Sequence, residues 1–127
     1  MEYSDPAFRA VRRLTADSYA VQHPGRPSPR AIQSVCGHLL SLFLILEKRG
    51  AFSFGQRGIH WAAQHEDQLL WLTPPSSLGQ VTVVDIATAV SATEHDQQVR
   101  AWAESAWSAW AEHHDTIRRW ADNLLNP

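Results

Sequence analysis

The sequence predicts an all-α fold: one helical domain over residues 1–127, built as a bundle of three long helices with one or two short ones and an irregular middle. Three observations carry this expectation. Asp5-Pro6 and Ser28-Pro29 each place a capping side chain before a proline at the first helical position. Behind each pair, apolar residues recur every three or four positions. From Glu94 to about Leu125 the same period continues with no proline or glycine to interrupt it.

The first helix is expected to end near Gln22 or His23, where Pro24-Gly25 stops it. A wheel places Phe8, Val11, Thr15, Tyr19 and Gln22 on one side, flanked by Leu14, Ser18 and Val21. Arg13 and Asp17 point away and pair across one turn. The second helix should run to about Arg49, with Gly50 as its C-terminal cap. Its stripes, Ile32, Cys36, Leu39, Phe43 and Leu46, with Leu40 and Leu44, mark it as the central, buried helix. Between residues 51 and 79 the pattern is weaker. Phe52 to Gly55 reads as loop or extended chain, and Ile59 to Asp67 as a short helix. Leu69 to Leu72 fits helix or strand alike. Thr82-Val83-Val84-Asp85 has capping-box spacing for a short helix to about Val90, although its valines also suit a strand. The last helix carries Val99, Ala103, Ala106, Trp110, Ile117, Ala121 and Leu124 on one stripe and Glu104, Ser108, Glu112, Asp115 and Arg119 opposite. About thirty residues give a rod of roughly 45 Å, which needs the first two helices alongside it.

Composition narrows the function classes. An apolar fraction of 44% and a charged fraction of 19% are those of a folded globular chain. The net charge of -2 carries no nucleic-acid footprint. The apolar run Leu39 to Leu46 is too short to span a bilayer, and no signal segment is visible, so a cytoplasmic location is expected with no membrane partner. The single cysteine, Cys36, lies in an apolar run and reads as a buried hydrophobe.

Seven histidines and six tryptophans are the unusual feature. Trp102, Trp107, Trp110 and Trp120 line the inner side of the last helix, as core or as an aromatic wall for a ligand. His38 stands beside Ser34, Gly37 and Ser41, a small polar face on an otherwise apolar helix. Such a face packs closely against a neighbour or floors a groove with a titratable imidazole. His113 and His114 straddle the inner stripe of the last helix. Tyr19, Gln22 and His23 cluster at the end of the first. No His-x-x-x-His, His-Glu-x-x-His or Cys-x-x-Cys occurs, so no metal ligands are assigned by pattern. A zinc or other divalent site would need ligands from separate elements, for example His23, His38 and one of His113 or His114. There is no phosphate loop, dinucleotide fingerprint or nucleophile elbow, and no local signature ties serine, histidine and aspartate into a triad.

The stretch Leu14-Thr-Ala-Asp17-Ser-Tyr19-Ala-Val-Gln22-His23-Pro24-Gly25 resembles the hallmark of a bacterial family of unknown function, domain family 5946. The resemblance continues through Ala31-Ile-Gln33-Ser34 with His38-Leu39, Trp71-Leu72-Thr-Pro74-Pro75, and Trp102-Ala103 to Trp107, Trp110 and His113-His114. It implies no activity. Family members often have histidine where this chain has Arg12, a departure that weighs against a shared metal site. A looser likeness, by topology and histidine-rich helices, is to metal-binding bundles of the DinB type.

Three functions fit these residues. The first is an enzyme or ligand-binding protein with a pocket between the first, second and last helices. Tyr19, His23 and His38 would be its catalytic groups, with Gln22, Ser34, Trp110, His113 and His114 on the ligand. Its chemistry would be proton transfer on a small organic molecule. The second is an interaction module, a homodimer through the last helix, since surplus aromatics mark interfaces. The third is a three-histidine metal-binding bundle.

Overall fold

The computed structural model describes residues 6–82 and 91–127. Among these residues there are five α-helices: α1 (Pro6–Gln22), α2 (Pro29–Leu42), α3 (Phe52–Gln64), α4 (Ala92–Ala109) and α5 (His114–Leu125). Short 3-10 turns at Glu66–Gln68 and Ala111–His113 punctuate the chain, and no strand occurs among the described residues. The all-α bundle expected from the periodicity is the observed fold.

Helix α2 is the axis: each of the other four helices packs against it. It begins as its residues dictate, with the Ser28 hydroxyl accepting the Ala31 N–H at 3.0 Å and Pro29 at the first position. It leaves in a way they do not advertise. Phe43–Glu47 forms one wider π turn, in which the Lys48 N–H bonds the Phe43 carbonyl at 3.2 Å. The left-handed position falls on Arg49 (φ 53°), not on Gly50. Gly50 is needed for another reason, since a Cβ there would run into the Phe54 ring. By length and composition Pro29–Glu47 is the one described helix apolar enough to cross a bilayer, although its uninterrupted apolar run is short. Its place at the centre of the bundle accounts for that character.

Three expectations are corrected. The middle of the chain is more helical than its pattern suggests: Phe52, Ser53, Phe54 and Gly55 open α3 and do not form a loop, and α3 stops at Gln64. Gly55 and Gly58 weaken local propensity, but they let α3 lie directly on α2, where a Cβ on Gly58 would come within 3.0 Å of the Leu40 and Ser41 backbone. The last helix is not one rod. It breaks at the Ala111–His113 turn into α4 and α5, although its inner stripe from Val99 to Leu124 is buried as expected. Finally, the inner face of α1 is Val11, Leu14, Asp17, Ser18 and Val21, all buried, whereas Tyr19 is 51% exposed. The expected stripe is rotated because Asp17 and Ser18 satisfy their polar atoms inside the fold. The Ser18 hydroxyl, for one, donates to the Leu14 carbonyl at 2.6 Å. The helix starts expected at Asp5 and across residues 82–90 lie outside, or lean on, residues beyond those described.

The tryptophans belong to the core. Trp61, Trp102, Trp107, Trp110 and Trp120 are all buried. Two of them close their indole N–H groups internally, Trp102 on the Gln22 side-chain oxygen (2.7 Å) and Trp110 on the Val21 carbonyl (3.2 Å). The surplus aromatics that suggested a dimer face on the last helix are therefore accounted for inside one chain.

Between the Glu66–Gln68 turn and α4, residues 69–82 cross the bundle as a strap without helix of its own. Side chains hold it from below. The Cys36 thiol reaches the Leu70 carbonyl at 3.5 Å, and His113 Nε2 donates to the Thr73 carbonyl at 2.8 Å. Gln22 Nε2 donates to the carbonyls of Leu78 (3.0 Å) and Val81 (2.8 Å). The Ser105 hydroxyl accepts from the Gln80 N–H (3.0 Å).

Candidate functional site

The polar face that singled out His38 meets a carboxylate. Asp17 is fully buried, and three donors converge on it. His38 Nδ1 donates to Oδ1 at 2.7 Å, Arg13 Nε donates to the same oxygen at 3.0 Å, and the Ser41 hydroxyl donates to Oδ2 at 2.5 Å. A carboxylate sealed from water needs such partners, and three of them from two helices fix its position. The expectation that Arg13 and Asp17 pair holds; the expectation that both point away does not.

The network runs on into α3. Arg13 Nη1 donates to Gln56 Oε1 at 3.1 Å, and Gln56 Nε2 donates to His60 Nε2 at 3.3 Å. These contacts determine which ring nitrogens carry protons. Arg13 Nη2 also lies 3.5 Å from His38 Nδ1, but a guanidinium only donates, and so does an imidazole N–H. The short contact to Asp17 wins, so His38 carries a proton on Nδ1, and in the neutral ring Nε2 is the acceptor. Among the described residues nothing bonds that Nε2. His38 borders an open hollow of about 240 Å³ with Arg30, Gln33, Ser34 and Ile59. A buried carboxylate holding one nitrogen of an imidazole that borders an open hollow is an arrangement suited to proton transfer.

The remaining expected site residues are not brought to this hollow together. Ser34 is, on the turn before His38. Tyr19 and His23 stack on each other at 4.1 Å on the exterior, with His23 Nδ1 donating to the Tyr19 carbonyl at 2.8 Å. Gln22 spends its whole amide on Trp102, Leu78 and Val81, so it is a structural strut. Trp110 has no exposed surface to offer a ligand. His114 lies flat on Trp107 at 3.7 Å and donates from Nε2 to the Trp107 carbonyl at 2.8 Å, while His113 is held by Thr73. His65 repeats the pattern against Trp61, at 4.4 Å. His23, His65 and His114 serve as flat aromatic tiles with one carbonyl anchor each, while the His113 ring is tilted against Trp110. The three-histidine set of His23, His38 and His113 or His114 is not assembled. Among the described residues no three His, Cys, Asp or Glu side chains are grouped to hold a metal ion.

Asp17 is the residue that sequence reasoning missed. The available signal was on the other helix: His38 and Ser41, one turn apart on α2, need polar partners once α2 is central, and Asp17 sits between Leu14 and Val21 on a face that pairs with it.

The family model for DUF5946, a family of unknown function, matches residues 1–111 of the chain. The chain belongs to DUF5946. The match takes in the whole Arg13–Asp17–His38–Ser41–Gln56 network and the Ser34 hollow, and ends before His113. DUF5946 brings no activity with it, since its function is unknown. No curated protein and no solved structure matches the chain. Any assignment for this DUF5946 member therefore has to come from the chemistry of the Asp17–His38 pair and its hollow.

Proposed function

We propose that the protein binds a small polar organic molecule in the hollow beside His38 and exchanges a proton with it through Nε2. The observation that carries this reading is the 2.7 Å bond from His38 Nδ1 to a carboxylate with no exposed surface. That bond fixes the ring and its tautomer, and it stabilises the imidazolium that forms when Nε2 takes a proton. Arg30 and Gln33 add donors at the rim for an oxygen of the bound molecule. Arg13 and Gln56 act behind the pair, holding Asp17 and tying α1 to α3.

Side-chain 15N NMR of the histidines tests this. His38 is expected in the Nδ1–H form, with an unprotonated Nε2 whose resonance moves when small carboxylic acids, amides or esters are titrated in. In Asp17→Asn the tautomer preference and the response should both weaken. A His38 ring that answers none of these compounds, or that holds its proton on Nε2, would overturn the reading.

A further inference from the structure

Ser34 precedes His38 by one turn of α2, is exposed, and lines the same hollow. Side chains on an α-helix lean toward its N-terminus, so a residue covers the surface over the preceding turn. Ser34 and His38 therefore share one side of α2, with Cβ atoms about 5–6 Å apart at this spacing. His38 Nδ1 is committed to Asp17, which leaves Nε2 as the only ring atom able to take a proton from Ser34. The Ser34 hydroxyl makes no hydrogen bond among the described residues and is free to turn about χ1 toward that nitrogen. Sequence spacing alone did not reveal this arrangement, because its carboxylate comes from α1, 17 positions before the serine.

We propose that Ser34, His38 and Asp17 form an acyl-transfer triad that cleaves a carboxylic ester. The proposal rests on the reading of His38 given above and names its reaction. Ser34 Oγ attacks the acyl carbon while its proton passes to His38 Nε2. The carbon–oxygen bond to the alcohol breaks, and the alcohol leaves with the proton from Nε2. Water then attacks the acyl-serine, gives one proton to Nε2, and releases the carboxylic acid as the proton returns to Ser34 Oγ. The guanidinium of Arg30 and the amide of Gln33 border the hollow and meet the negative charge on the tetrahedral oxygen.

The neighbouring surface indicates the acyl group. Gln33 also lines a second hollow of about 390 Å³, walled by Pro29, Ile32 and Leu69 and rimmed by Glu66 and Asp67. Gln33 is common to the walls of both hollows. An apolar acyl arm fits between Ile32 and Leu69, and the two carboxylates at the rim disfavour an anionic tail. The substrate class is an ester whose acyl arm is apolar and carries no negative charge.

The test uses the full chain and an alkyl fluorophosphonate, with intact mass followed by peptide mapping. A single adduct on Ser34 is expected, forming about 100-fold faster than on the exposed serines Ser53 and Ser108, which lack a carboxylate-held histidine. Ser34→Ala should lose the adduct, and His38→Gln should slow labelling by a similar factor. Hydrolysis of p-nitrophenyl esters should be faster for the octanoate than for the acetate and absent in Ser34→Ala. Labelling of Ser34 no faster than of Ser53, or unchanged in a folded His38→Gln, would overturn the triad. The within-chain comparison stands even if His38→Gln fails to fold. A His38 ring that responds to the titrated compounds without Ser34 labelling would sink the triad and keep the proton-transfer reading. Absence of both responses would sink both.

Discussion

Replacing Asp17 by Asn removes one negative charge from a fully buried position and leaves the geometry almost unchanged. Asp17 Oδ1 receives two donors, from His38 and Arg13, and Oδ2 receives one, from Ser41. An asparagine amide can present its oxygen to the first pair and its NH2 to Ser41, whose hydroxyl can turn to accept. What is lost is the charge that both stronger bonds depend on, with the Arg13 guanidinium left only 14% exposed beside it. Breaking one side of a buried pair costs about 3–5 kcal/mol. A domain of this size has roughly 5–15 kcal/mol to lose. At about 3–4 °C per kcal/mol for this chain length, the melting temperature should fall by about 10–20 °C. Urea unfolding followed by fluorescence of the buried tryptophans measures it, with the slope against denaturant unchanged. Ser41→Ala, which removes one neutral donor and leaves the pair intact, should cost only about 1–2 kcal/mol. An Asp17→Asn protein within about 1 kcal/mol of wild type would show that the carboxylate is not held as described.

Other outcomes follow from the packing. Gly58→Ala should destabilise by about 1–3 kcal/mol despite the better helix propensity of alanine, because the new methyl group meets the α2 backbone. Gly37→Ala, where the nearest atoms are at 3.4–3.5 Å, should be neutral or gain up to about 1 kcal/mol; both are read from urea midpoints. Gln22→Glu should keep the Trp102 bond but turn a carboxylate toward the Leu78 and Val81 carbonyls, so amide exchange across residues 78–81 should accelerate selectively. Burial pushes the Cys36 thiol from 9.0 up to about 12, so it should resist alkylation in the native protein and react on unfolding. Because that pKa is raised in the folded state, the contribution of the thiol to stability is full below 9.0 and is lost as pH rises toward about 12. Wild type should therefore lose stability relative to Cys36→Ala across that window in alkaline urea titrations.

Much of the fold was legible because its signals are local. The cap and proline at Ser28-Pro29, the stop at Pro24-Gly25 and the stripe from Val99 to Leu124 each act within a few residues, and each is observed. The rest depends on contacts between distant segments. Gly55 and Gly58 argue against a helix until α2 is placed beneath them, and then they are what allows it. The break at Trp110 has no proline or glycine to mark it; it occurs where Trp110 is buried and His113 reaches Thr73. Periodicity found His38 and Ser34 from their own helix. It misplaced Asp17, since a wheel counts a carboxylate as outward and only the partners on α2 reverse that. The histidines of α1 and the last helix looked like ligands because imidazole suits both metal binding and stacking, and spacing does not distinguish them.

The strap over residues 69–82 is fastened like a row of buttons, not like a zip. A strand in a sheet gains order from its neighbours bond by bond, so its fraying spreads. Here each fastening is a separate side chain on a different element: Cys36 on α2, His113 before α5, Gln22 on α1 and Ser105 on α4. Undoing one should free only the few residues it holds. Gln22 has a further duty, because the same amide also grips Trp102 on α4. Any sliding of α4 along α1 must therefore release the strap at Leu78 and Val81, which makes that short stretch of chain a mechanical reporter of how those two helices sit.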